Sequence, residues 1–313
     1  MLYLRVIGGS RRVLICMGAF LFVAMLIVTL LSPLPYRIWR YIHKLISILF
    51  IGGAFHTIVL MPARYWHEPV GFTILAVSIL GGIIAVLSFF GLIGKYKEFK
   101  SEITAVEHHN DITLITCKIN GNWAHNAGQY AFLQHQNSRE SHPFTIASND
   151  DRSNTVKFAI KALGHYTDLI QHQWKQGDTL TIEGPYGNFL YDNNPKAEQI
   201  WIAGGVGITP FIAWLESLQD TPIGANTRLY YCVHQPSETL DAEYLTLLAN
   251  NAGIQLTIIH SNIQGYLDPT TLGINADTMI YFCGPEGLAK SIKKEIRRQG
   301  LSIAQHFHSE YFN

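Results

Sequence analysis

The chain has 313 residues, with 23 Lys and Arg balanced by 23 Asp and Glu. Zero formal charge offers no basic surface for nucleic acid, and the length suits two or three domains. Hydrophobic residues make up 48% of the chain, ordinary as an average but unevenly distributed.

Residues 13–32, 45–61 and 69–94 contain no charged side chain. Apolar runs of this length match a hydrocarbon core of roughly 30 Å, so spans are expected at about 13–32, 42–61 and 70–94. A cleaved signal peptide is the rival for 13–32, since Arg11 and Arg12 precede it; Ser32-Pro33-Leu34-Pro35 follows where a cleavage site would stand. Arg37, Arg40 and Lys44 in one connection, and Lys95, Lys97 and Lys100 after the third run, place those segments on the cytoplasmic side. The large remainder is then cytoplasmic and the chain an integral protein of the inner or plasma membrane. Arg5, Arg11 and Arg12 fit that orientation poorly.

Residues 95–102 read as a polar hinge. Beyond it lie short alternating segments at 112–119, 129–133, 156–160 and 179–182, the pattern of an antiparallel β-barrel over 98–192. After Asn193-Asn194-Pro195, strands at 199–203, 229–233, 256–259 and 279–283 alternate with helices at 208–218, 241–250 and 286–299. That order predicts a parallel α/β domain over 193–313. The fold expected is therefore a multidomain membrane protein: three transmembrane helices over 1–97, a barrel and an α/β domain. Cys16, Cys117, Cys232 and Cys283 are widely spaced, which reads as free thiols rather than a disulfide framework or metal site.

Several segments carry chemistry. His142-Pro143-Phe144-Thr145 combines a fixed φ, an aromatic ring and a hydroxyl; alone it also reads as a buried strand end. Lys161 precedes Gly164-His-Tyr166-Thr167 at a helix start, a cation beside a helix N-terminus that suits a phosphate, although a solvent-facing Lys reads the same way. Gly184 and Gly187 bracket a turn. Gly204, Gly205 and Gly207, followed by Thr209 and Pro210, link an apolar strand to a helix whose N–H groups face a pyrophosphate; by itself this turn is a weak signal. Cys283, Gly284 and Pro285 end the last strand at the edge where open α/β sheets bind ligands. His234-Gln235-Pro236-Ser237, after the second strand, would grip a 2′-phosphate poorly and favours NADH over NADPH.

Together, the first five of these segments make residues 101–313 resemble the reductase half of the ferredoxin–NADP reductase superfamily, and more narrowly the ferric reductase and NADPH oxidase group. That resemblance implies FAD held by His142–Thr145, Lys161, Gly164, Tyr166, Thr167, Gly184 and Gly187. It implies NADH or NADPH on Gly204, Gly205, Gly207, Thr209, Pro210, Gly284 and Pro285, with Cys283 beside the nicotinamide. Phe312 would belong to an aromatic segment covering the flavin. His43 and His56, about 20 Å apart along one helix, would each give one axial ligand to haem b. Thirteen steps leave the two rings on different faces, unless Gly52-Gly53 distorts the helix. The group takes its partner histidines from an earlier helix, so a missing upstream segment, a partner chain or a homodimer is expected to complete the haem sites. The function implied is electron transfer from NAD(P)H through FAD toward haem and an acceptor such as ferric iron or oxygen. A haem-free anchored flavin reductase and a non-catalytic membrane subunit are the alternatives.

Overall fold

In a computed structural model of the protein, the described residues are Val23, Ile27, 36–92, 95–138, 140–191, 198–219 and 226–311, with backbone alone for 36–43 and Tyr96. Apart from Val23 and Ile27, the first apolar run lies outside them, as do Cys16 and Phe312. The chain divides into two compact units, Met1–Tyr96 and Lys97–Asn313.

The first unit contains α1 (Tyr36–Leu60), a 3-10 turn at Ala63–His67 and α2 (Pro69–Phe89). Pro69 starts α2, directly after Glu68 in extended conformation, where its fixed φ suits a first helical turn. Gly91, at φ +64°, ends it: the left-handed residue lets Leu92 N–H reach the Leu87 carbonyl at 2.8 Å. The apolar run continues past this glycine, which is why composition alone extends the span to residue 94. At 21 residues α2 is about 31 Å long and is the one helix among the described residues long and apolar enough to cross a membrane. In α1, Arg37, Arg40 and Lys44 lie in the first half, and the apolar stretch found among the described residues is Lys44–Leu60. Of the three expected spans, the third has its membrane-length helix in α2, and the first, 13–32, lies outside the described residues apart from Val23 and Ile27. Phe50 of α1 packs over Gly81 of α2, where a Cβ would stand 2.4 Å from the ring. The helix runs unbroken through Gly52-Gly53, so the distortion that would bring His43 and His56 onto one face is absent.

The second unit opens on β1 (Glu98–His109), where the sequence suggested a hinge. Lys97, Lys100 and Glu102 make the segment look like a linker, yet Ser101 and Ile103 alternate with them and are buried. Then come β2 (Ile112–Ile119), β3 (Tyr130–His135), β4 (His142–Thr145), β5 (Thr155–Lys161), α3 (His165–Gln173) and β6 (Thr179–Tyr186). These strands form one antiparallel sheet ordered β4-β3-β6-β1-β2-β5. A bridge between Ile146 and Phe158 ties its two edges, closing a barrel around Ile115, Leu133, Phe158, Leu180 and Ile182.

The parallel sheet is built from β7 (Glu198–Gly204), β8 (Thr227–Val233), β9 (Gln255–His260), β10 (Thr278–Gly284) and β11 (Phe307–Tyr311). The helices between them are α4 (Thr209–Ser217), α5 (Ala242–Asn251) and α6 (Glu286–Arg298). Strand order is β11-β10-β7-β8-β9. All four expected strands and all three helices are present; β11 was not foreseen, because five residues at a chain end carry little periodic signal.

One face of the sheet packs on α6, through Ile292 and Ile296. The other buries Trp201, Phe211, Trp214 and Tyr281 against Phe189 from the barrel side. Trp214 stacks on Phe189 at 4.9 Å and donates its Nε1–H to the Ala127 carbonyl at 3.1 Å. Barrel and sheet therefore share a core. Trp214→Ala removes both the ring and the hydrogen bond and should cost about 3–5 kcal/mol, read as a lower unfolding midpoint of the reductase unit in urea.

Candidate functional site

Strand order sets the first feature. From β7 the chain builds β8 and β9 on one side, then returns to place β10 on the other. The carboxyl ends of β7 and β10 are thus the switch point where such sheets take ligands. Gly204 and Gly284 end those strands, and the two exits touch: a Cβ on Gly204 would stand 2.5 Å from Pro285 Cδ. Gly207 is equally confined, its added Cβ falling 2.2 Å from the Cys283 carbonyl oxygen. Gly205 differs. Its φ is +57° and nothing lies within 4 Å of an added Cβ, so it faces open space.

That space is a cavity of about 690 Å³, within the size range of small-molecule sites. Gly204, Gly205, Gly284 and Pro285 line it with Lys161, His234, Glu238, Ser261 and Tyr266. Gly207, Thr209 and Pro210 do not. Thr209 is buried and spends its hydroxyl on the Val206 carbonyl at 3.1 Å, and Pro210 is buried in the first turn of α4. The side chains of Thr209 and Pro210 hold the turn rather than a cofactor. Tyr266 was missed by sequence reading; it is 87% exposed beside the cavity, an aromatic face with no protein partner to justify it in a loop.

The second feature is the barrel edge. β4 pairs with β3, setting Pro143 opposite Phe132 and Phe144 opposite Ala131. Thr145 is buried, and Phe144 packs half-buried on the barrel core. The His142 ring stacks on Tyr166 at 3.9 Å, while Tyr166 donates toward the Leu133 and Glu140 carbonyls. Burial, and then the Glu140 charge, pushes the Tyr166 phenol up to about 12, so it stays a donor. At the start of α3, Thr167 Oγ1 accepts the Leu163 and Gly164 N–H groups at 2.9 and 3.0 Å. Gly164 is extended, at φ −168°, and no atom lies within 4 Å of an added Cβ. Open room at a helix N-terminus fits an anionic group such as the FAD pyrophosphate. Gly187, at φ +97°, packs against the Tyr130 ring, and Gly184 against Ala131, so this turn presses onto β3.

Lys161 departs from its expected place. Its Nζ lies 3.2 Å from Asp111 and 3.5 Å from Glu238, and it lines the nucleotide cavity. The sequence put it near Gly164 because only two residues separate them, but the strand ends at Lys161 and the chain turns there.

The third feature lies on β10 and β11. Cys283 is fully buried on β10, and its register partner on β11 is Glu310. Burial, and then the Glu310 charge, holds the Cys283 thiol well above its ordinary value, so it is neutral. Burial lifts the Glu310 carboxyl from 4.5 to about 7. Glu310 Oε2 is buried without a hydrogen-bond partner, an open acceptor next to the thiol that fits a ligand donor. Sequence reading took Glu310 only as part of an aromatic tail; the buried strand β11 is what gives it meaning.

A barrel with an anion-ready helix start, joined to a parallel sheet with a dinucleotide crevice, defines a two-domain flavin and nicotinamide oxidoreductase. Residues 96–189 match the family model of an FAD-binding domain and residues 201–294 that of an oxidoreductase NAD-binding domain. The chain belongs to the ferredoxin–NADP reductase superfamily and is an NAD(P)H-dependent oxidoreductase. It is 27% identical over 199 residues to the anthranilate 1,2-dioxygenase electron transfer component of Acinetobacter baylyi, covering 59% of this chain and 57% of that one. It is 25% identical to the carnitine monooxygenase reductase subunit of Escherichia coli over 229 residues, 69% of each chain. The chain thus spans under two thirds of the length of the first of these relatives. In fold it matches a ferredoxin NADP+ reductase from Neisseria gonorrhoeae with bound FAD and NADP, at a TM-score of 0.59 and 18% identity, over 69% of this chain and 98% of that one. None of the relatives named here is a ferric reductase or NADPH oxidase.

Two outcomes test the site. Cys283→Ala should slow flavin reduction by NADH about 10- to 100-fold, the scale of a misplaced reactant, while leaving FAD content unchanged; stopped-flow absorbance separates the two. For Glu310 the folded value exceeds the unfolded one, so its contribution to stability is full below about pH 4.5 and is lost as pH rises through about 7. Glu310→Gln keeps the neutral form and should flatten that part of the decline, seen as a difference in melting temperature that widens between those two pH values.

Proposed function

We propose that this chain is a membrane-anchored reductase that takes hydride from NADH onto FAD and passes electrons singly to a separate acceptor. The observation that carries the reading is the pair of touching strand exits, Gly204 against Pro285, that line the nucleotide-sized cavity, inside a unit whose barrel edge and sheet share one core. FAD is what such a protein needs between a two-electron donor and a one-electron acceptor. The chain's own residues do the rest. Gly204, Gly205 and Gly284 let the dinucleotide backbone approach, the α3 N-terminus and Thr145 hold the flavin, and Cys283 with Glu310 positions the nicotinamide and keeps a proton available. The anchor rests on α2, whose Phe72, Val77, Leu80 and Ile84 are exposed on an uncharged helix. With α2 in a bilayer, Lys95, Lys97 and Lys100 favour a cytoplasmic reductase. The relatives named above are reductase components of a dioxygenase and a monooxygenase, which supports a protein acceptor for this chain as well.

A second reading adds haem, and the specific observation behind it is two histidines on one apolar helix. His56 is exposed on α1, and His43 lies 13 residues before it on the same unbroken helix. The two positions fall about 140° apart around the axis, and among the described residues no group of three His, Cys, Asp or Glu could hold a metal. Haem here would need its second ligand from another chain or segment, as would electron flow to ferric iron or oxygen.

The absorption spectrum of the purified full chain distinguishes these readings. Flavin bands bleached by NADH, without a Soret band, are the expected result, and residues 97–313 alone should be equally yellow. A Soret band lost in His43→Ala or His56→Ala would move the protein to the membrane flavocytochromes. A folded, colourless protein would sink both.

A further inference from the structure

Among the described residues lining the nucleotide cavity, Lys161 is the one Lys or Arg, and it comes from the barrel rather than from the parallel sheet. It is not free. Its Nζ is held 3.2 Å from Asp111 Oδ2 and 3.5 Å from Glu238 Oε2. Glu238 stands in the turn after β8 and itself lines the cavity. The pair therefore bridges barrel and sheet, with both Lys161 and Glu238 only about one-fifth exposed. The same turn is pinned a second time, since the Asn110 side chain donates to the Ser237 carbonyl. Glu238 is fixed further by its carbonyl, which accepts from the Tyr231 hydroxyl at 3.4 Å.

NADPH differs from NADH by one phosphate on the adenosine ribose, and the segment after the second strand of such a sheet is where that ribose is read. A phosphate there needs an uncommitted cation. The cavity has one Lys facing two carboxylates, while His234 and Ser261 add an imidazole and a hydroxyl that contact each other at 3.2 Å. A carboxylate accepts hydrogen bonds from ribose hydroxyls and repels a phosphate.

We propose that Glu238 makes this protein selective for NADH, by committing Lys161 to an ion pair across the two domains and presenting its carboxylate where a 2′-phosphate would lie. The inference rests on the reductase reading above. It also reassigns Lys161 from flavin phosphate to the reading of the nicotinamide donor.

The experiment uses the full chain and measures FAD reduction with each nucleotide. Wild type should favour NADH by about 30-fold or more in kcat/KM, and Glu238→Gln should cut that ratio by about 10-fold, through a gain with NADPH. Adding Lys161→Met to Glu238→Gln should cancel the gain, because the freed cation is what receives the phosphate. Inhibition offers a check that needs no variant: ADP should compete with NADH better than 2′,5′-ADP does against wild type. A wild-type ratio near one, an unchanged ratio in Glu238→Gln, or tighter inhibition by 2′,5′-ADP overturns the inference. Failure of either nucleotide to reduce FAD would instead overturn the reductase reading.

Discussion

The reductase unit depends on how closely two strand exits approach. β7 and β10 are neighbours whose chains leave in different directions, and the crevice between their carboxyl ends exists because nothing larger than hydrogen projects from Gly204 or Gly207. A side chain at either would collide with Pro285 or with the Cys283 carbonyl, at distances no real Cβ contact shows. The glycines of this turn thus divide their work. Two let the protein pack on itself, while Gly205, left-handed and facing open space, is the one that clears room for a ligand. Once the exits are locked, the register places Cys283 beside Ala203 on one side and Glu310 on the other.

Most of the reductase architecture was legible, because its signals are local. Alternation in 112–119 and 179–182, apolar runs at 199–203 and 279–283, and glycine or proline at their ends are properties of consecutive residues. What escaped was set by distant partners. β1 looks like a linker until Ser101 and Ile103 are seen to pair with Leu180 and Cys117. Glu310 looks like tail until β11 docks against β10. Lys161 was placed by adjacency, whereas its ion pair with Glu238 joins residues 77 apart in the chain. The motifs named the cofactors; they did not assign each residue to its cofactor.

Electrostatics in the site follows burial more than charge count. Cys283 and Glu310 are both driven toward their neutral forms, and they face one another. A neutral thiol beside a carboxyl lifted to about 7 forms an interior that tolerates an uncharged nicotinamide ring and can exchange a proton near neutral pH. In the cavity, Lys161 is ion-paired with two carboxylates. Desolvation governs the buried strand ends where chemistry is proposed, and ion pairing governs the cavity wall where the nucleotide is selected.

The helical unit obeys a different rule. In water, an α2 exposing Phe72, Val77, Leu80, Ile84 and Val86 would leave most of one 31 Å cylinder unpaid for by any contact, at about 25 cal/mol for each Å² of apolar surface. Such a helix is stable only against lipid or against another apolar surface. α1 differs in composition: Arg37, Arg40 and Lys44 lie in its first half, and an apolar stretch follows to Leu60. The two helices pack through Phe50 and Gly81, so whatever apolar surface covers α2 has to accommodate α1 beside it.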